Sequence, residues 1–127
     1  ESFMSEQGKV QLVFTIVATP DKVAEGDRIF DVHAKWMAET HHREGEKALL
    51  QYNVSKAPEL VNPLDPSAGT TGNTCFVLAE VYESDAGIAD HFERAQSNWA
   101  EFGDFVSWME ACTVTIVPSA NIIHSLW

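Results

Sequence analysis

Twice in this chain a short apolar run passes directly into a helix start. Residues 12–18 (LVFTIVA) end in Thr19-Pro20-Asp21, and residues 76–82 (FVLAEVY) reach Ser84-Asp85 one residue later. Runs of this length, rich in β-branched and aromatic residues, are strands. A hydroxyl residue with a nearby Asp, or Pro at the first helical position, is helix-start chemistry. From Val23, apolar residues recur at helical spacing through Phe30 and Met37, and this first helix is expected to end near Gly45. Residues 47–56 alternate, Leu50, Tyr52 and Val54 against Leu49, Gln51 and Asn53, and form a second strand. Residues 74–82 are a third. Ile88, His91, Phe92, Ala95, Trp99 and Phe102 trace one stripe of a second helix that Gly103 is expected to bend. Residues 112–117 form a fourth strand that Pro118 should stop.

The order βαββαβ predicts one α+β domain over residues 1–127: a ferredoxin-like, four-stranded antiparallel sheet, spatial order 4-1-3-2, with two main helices on one face. Residues 58–73, with three prolines, two glycines and no periodicity, read as a long loop at a pocket mouth or over a neighbouring subunit. Residues 119–127 are an apolar C-terminal tail. In the first strand Leu12, Phe14 and Ile16 oppose Val13 and Val17; in the third, Phe76 and Leu78 oppose Cys75, Val77, Ala79 and Val81. Two helices cover one face only. The other is expected to meet the same face of a second copy, giving a homodimer. Cys75 and Cys112, two strand spacings apart, are expected to be free, buried thiols.

Nineteen acidic against eight basic residues give a charge of −11, with Arg94 the one base after Lys56. Such a chain repels phosphate backbones and anionic lipid, so neither nucleic acid nor a membrane is an expected partner. The longest uncharged apolar stretch, residues 10–19, is about half of the ~20 residues a membrane-spanning helix requires. Residues 1–9 lack a secretory signal pattern, and the reading is of a soluble cytoplasmic protein.

Several side chains stand out as candidates for a site. His91 lies on the inward stripe of the second helix, as a core histidine or a pocket wall. Glu80 shares a strand face with Phe76, Leu78 and Tyr82, and a buried carboxylate there requires a partner: a histidine, Arg94 or a group across the subunit boundary. Arg94 is also spaced to pair with Asp90. His33 lies on the inner side of the first helix, between pocket and core. Trp36, Tyr52, Tyr82 and Trp99 either flank a flat aromatic ligand or complete the core. His41 and His42 read as a solvated helix end. Adjacent His41 and His42 do not converge with Glu44 and Glu46 on one ion, so no metal site is expected.

Residues 76–85 (FVLAEVYESD), followed by His91, resemble the antibiotic biosynthesis monooxygenase-like domains of the dimeric α/β-barrel superfamily, and the resemblance runs over residues 10–117. It departs from the haem-degrading relatives: the first strand has no Asn, His91 stands at their Trp, and Glu101 falls near their iron ligand. The resemblance implies a dimeric barrel and a monooxygenase acting without cofactor on a small aromatic or quinol-type substrate. His91 would be base or hydrogen-bond partner, Glu80 would orient it, and His33, Trp36, Tyr52, Tyr82 and Trp99 would surround the ring. The alternative is a non-catalytic small-ligand-binding or stress-response barrel module of the same fold.

Overall fold

Strict alternation of burial along Val10–Ala18 (β1) turns Val10, Leu12, Phe14, Ile16 and Ala18 to the core, and pairing on both sides places the strand inside the sheet. The computed structural model describes residues 5–127. After a 3-10 turn at Pro20–Lys22 come α1 (Val23–Thr40), β2 (Leu49–Leu60), a second 3-10 turn at Pro66–Ala68, β3 (Thr70–Tyr82), α2 (Asp85–Asn98), α3 (Phe102–Glu110) and β4 (Thr113–Asn121). The four strands form one open antiparallel sheet in the order β2-β3-β1-β4. This α+β arrangement agrees with the ferredoxin-like order expected from the sequence. No helix among the described residues is long and apolar enough to cross a membrane.

The structure corrects several boundaries. β2 and β3 pair as far as Leu60 opposite Thr70, so the loop expected over residues 58–73 narrows to 61–69. The Glu59 carboxylate accepts from Thr71 Oγ1 (2.9 Å) and Asn73 Nδ2 (3.1 Å), tying the hairpin together, and Pro58 is tolerated because β2 is an edge strand. Pro118 does not stop β4 either. That strand is the opposite edge, and its pairing with β1 shifts register between Gln11 and Val13, so the proline sits where the ladder is already irregular. The tail therefore begins at Ile122, whose N–H donates to Lys9 O at 2.9 Å. α1 ends at Thr40, short of Gly45, and the break before α3 lies at Trp99, ahead of Gly103.

Two glycines set the distance between helices and sheet. A Cβ on Gly26 would lie 2.8 Å from Phe76 Cζ, and one on Gly87 would lie 2.8 Å from Tyr82 Cδ2 and 2.9 Å from Lys47 O. Their absence lets α1 and α2 settle against β3. His33, two turns beyond Gly26, and His91, one turn beyond Gly87, are thereby carried down toward the strand. On the far face, Val13, Val17, Cys75, Val77 and Ala79 are half-buried; both cysteines are free as expected, but half-buried instead of buried.

Candidate functional site

Glu80 is fully buried near the C-terminal end of β3, flanked in register by Leu12 of β1 and Tyr52 of β2. Its Oε1 accepts a hydrogen bond from the Tyr82 hydroxyl, while Oε2 is buried without a partner among the described residues. Burial pushes its pKa up to about 7, against the opposing pull of the Tyr82 hydrogen bond. The partners expected for it are otherwise engaged or differently placed. Arg94 Nε donates to Asp90 at 2.7 Å, the pairing its spacing suggested, and among the described residues no histidine hydrogen-bonds the Glu80 carboxylate.

His33 and His91 stand over this carboxylate. One donor atom from each of His33, Glu80 and His91 lies within 4.8 Å of the other two, and all three side chains are buried. His33 Nδ1 is 2.6 Å from the Tyr52 hydroxyl, and His91 Nδ1 is 2.8 Å from His41 Nε2. Desolvation lowers His33 and His91 to about 3 and His41 to about 4, so the rings are neutral at pH 7.

Neutrality fixes the direction of the His41–His91 hydrogen bond. Thr40 Oγ1 donates to the Trp36 carbonyl oxygen at 2.7 Å, so toward His41 Nδ1, at 3.0 Å, it acts as acceptor. His41 therefore carries its proton on Nδ1 and has a lone pair on Nε2, which accepts from His91 Nδ1–H. The network thus assigns His91 the tautomer with a bare Nε2. His41, expected at a solvated helix end, is instead buried. The signal for it was its place four residues beyond Met37 and eight beyond His33, on the inner stripe of α1. His42 is exposed, 3.3 Å from Arg94.

A cavity of about 230 Å³ opens beside the two histidines, between α2, α3 and the inner face of the sheet. Phe14, Trp99, Phe102 and Phe105 form much of its wall, with His33 and His91 as two of its few polar groups. Its size is below the ~300–1,000 Å³ of sites for drug-sized ligands, which fits a molecule of one or two rings. Of the other expected ligand contacts, Trp99 lines this cavity, whereas Trp36 stacks on Trp99 at 5.4 Å from behind. Tyr82 holds Glu80. Tyr52 holds His33 and borders a separate depression of about 270 Å³ between α1 and β2. None of residues 58–73 lines the aromatic cavity.

No protein-family model, curated protein or solved structure matches the chain.

Proposed function

We propose that this chain is an enzyme acting on a small aromatic or quinol-type molecule, held flat among Phe14, Trp99 and Phe105 with its hydroxyl against His91 and His33. The observation that carries this reading is an aromatic cavity ending on two neutral imidazoles, one with a bare Nε2. A hydroxyl entering there finds an acceptor in a site from which aromatic walls exclude water. Imidazoles lowered to about 3 orient the hydroxyl but hold its proton poorly. Glu80, near 7, is the member of the cluster matched to proton exchange at neutral pH. The resulting anion is electron-rich and reacts with dioxygen, one oxygen atom entering the ring system and the other leaving as water, with electrons drawn from the substrate. The family resemblance is supported by the ferredoxin-like strand order, with an additional helix α3 before β4, and by His91 lying against Tyr82 of β3. A cavity lined by His33 and His91, with Glu80 within 4.8 Å of both, favours an enzyme over a passive binding module.

The reading includes a homodimer formed through the outer sheet faces, supported by the half-buried row of Val13, Val17 and Val77 and by Val117, 45% exposed. The test is titration of the protein with 2-naphthol and with naphthalene, followed by tryptophan fluorescence, together with oxygen uptake on 1,4-naphthohydroquinone. Binding of 2-naphthol about tenfold tighter than naphthalene, the worth of one hydrogen bond, with oxygen uptake above the spontaneous rate, is expected. Equal or absent binding of the two, without added oxygen uptake, would overturn it.

A further inference from the structure

We propose that His33, Glu80 and His91 together hold a divalent first-row transition-metal ion at the polar end of the aromatic cavity. This deepens the reading above, since it rests on that end of the cavity being the reactive one, and it departs from the sequence expectation of a metal-free site. α1, β3 and α2 each contribute one side chain, which is why no spacing in the sequence reveals the group.

Donor atoms bound at ~2.0–2.2 Å to a common tetrahedral ion lie about 3.3–3.6 Å apart, so a group within 4.8 Å must draw in by up to about 1.5 Å. Side-chain rotations of His33, Glu80 and His91 would supply that closure. Glu80 Oε2 is a buried acceptor without a partner, an arrangement that a cation beside it would satisfy. Arg94, the one base in the second half of the chain, is committed to Asp90.

Each of the three side chains is also held through the atom a metal would not use. Tyr82 bonds Glu80 Oε1, Tyr52 bonds His33 Nδ1, and His41 bonds His91 Nδ1. The atoms left over are Glu80 Oε2 and the two Nε2 nitrogens. Partners on the far side of the donors are what fix ligand orientation and tautomer in metal sites. The Trp36–Thr40–His41 series already sets His91 with its lone pair on Nε2, the form that ligates. At His33, an ion selects the tautomer in which Nδ1–H donates to the Tyr52 oxygen. Two imidazoles and one carboxylate suit iron(II), cobalt(II), manganese(II) and zinc, and three protein ligands leave positions for a further ligand. With an ion in place Glu80 is a ligand, and the negative charge of a bound hydroxyl is met by the metal, the proton passing to water with no change in oxidation state.

Full-length protein stripped with a chelator is titrated with cobalt(II), followed by visible absorption and by metal content after gel filtration. One ion per chain with a visible ligand-field spectrum is expected. Glu80→Gln, which preserves shape, should abolish retention. Tyr52→Phe should weaken binding by ~10–100-fold. Replacing His42 and His124 with Ala should leave binding unchanged. No retained metal in the wild type, or retention that survives Glu80→Gln, would overturn the proposal. Titration of the stripped protein with 2-naphthol separates the two readings. Naphthol binding without metal retention removes the metal and leaves the cavity reading intact. Metal retention with naphthol excluded from both stripped and loaded protein supports the metal site and removes the substrate reading.

Discussion

His41 Nε2 accepts the Nδ1 proton of His91 across 2.8 Å, joining the end of α1 to the middle of α2 inside the core. That one bond decides which nitrogen of His91 faces the cavity, because His41 is itself oriented by Thr40, and Thr40 by the Trp36 carbonyl. His41→Ala should leave the His91 Nδ1–H buried and unpaired, lowering stability by about 1–3 kcal/mol in urea unfolding. Affinity for 2-naphthol should fall as well, since His91 is then free to adopt the other tautomer. His42→Ala, one residue on but exposed, should change neither.

The sheet was legible in the sequence because its signals are local: β-branched runs, helix-start residues and a stripe on each helix. Residues 70–73 and 58–60 were not legible as strand. Their Pro, Gly and Asn content speaks for a loop, and only the Glu59 carboxylate bridging to Thr71 and Asn73 makes them pair. Pro118 misled for the same reason, because being on an edge strand is not a property of the residue. Glu80 and His91 stood out singly, one as a carboxylate in an apolar strand and the other as a histidine on an apolar stripe. That His33 joins them depends on close helix–sheet packing at Gly26 and Gly87, which periodicity does not encode.

Acid should unfold the metal-free protein early. The folded state binds the protons of His33, His91 and His41 more weakly than the unfolded state does, with values near 3, 3 and 4 against 6.5. Their contribution is therefore complete above about pH 6.5 and is lost as pH falls from there through about 4 to 3. Glu80 acts in the opposite direction: its folded value near 7 exceeds 4.5, so stability is lost as pH rises from about 4.5 through 7. Three groups outweigh one, and stability should fall steadily below pH 6. Glu80→Gln should stabilise the chelated protein at pH 8 by roughly 3 kcal/mol and change little at pH 4.5. Urea unfolding across this pH range, with no gain at pH 8, would contradict the burial of an ionised Glu80.

Ala95 lines the cavity from α2. Ala95→Leu should fill part of it, costing about 1–3 kcal/mol of stability at most. The variant should remain folded by circular dichroism and lose at least about tenfold in 2-naphthol affinity, the effect of one misplaced branched side chain in an apolar pocket. Unchanged affinity would place the ligand elsewhere.

Val77, half-buried on the outer face of β3, lies at the centre of the surface assigned to the dimer. Sedimentation of the wild type should give twice the 14.1 kDa chain mass, and Val77→Lys should give the single-chain mass with the fold retained. A wild-type monomer at all concentrations would remove the dimer.

The most direct test of the account is side-chain ¹⁵N spectroscopy of the histidines in the chelated protein at pH 7, before and after addition of 2-naphthol. The expected spectrum shows His91 neutral, with its proton on Nδ1 and a bare Nε2, and the Nε2 resonance moves when 2-naphthol is added but not when naphthalene is. A charged His91, a proton on Nε2, or a resonance indifferent to 2-naphthol at saturating concentration would contradict it.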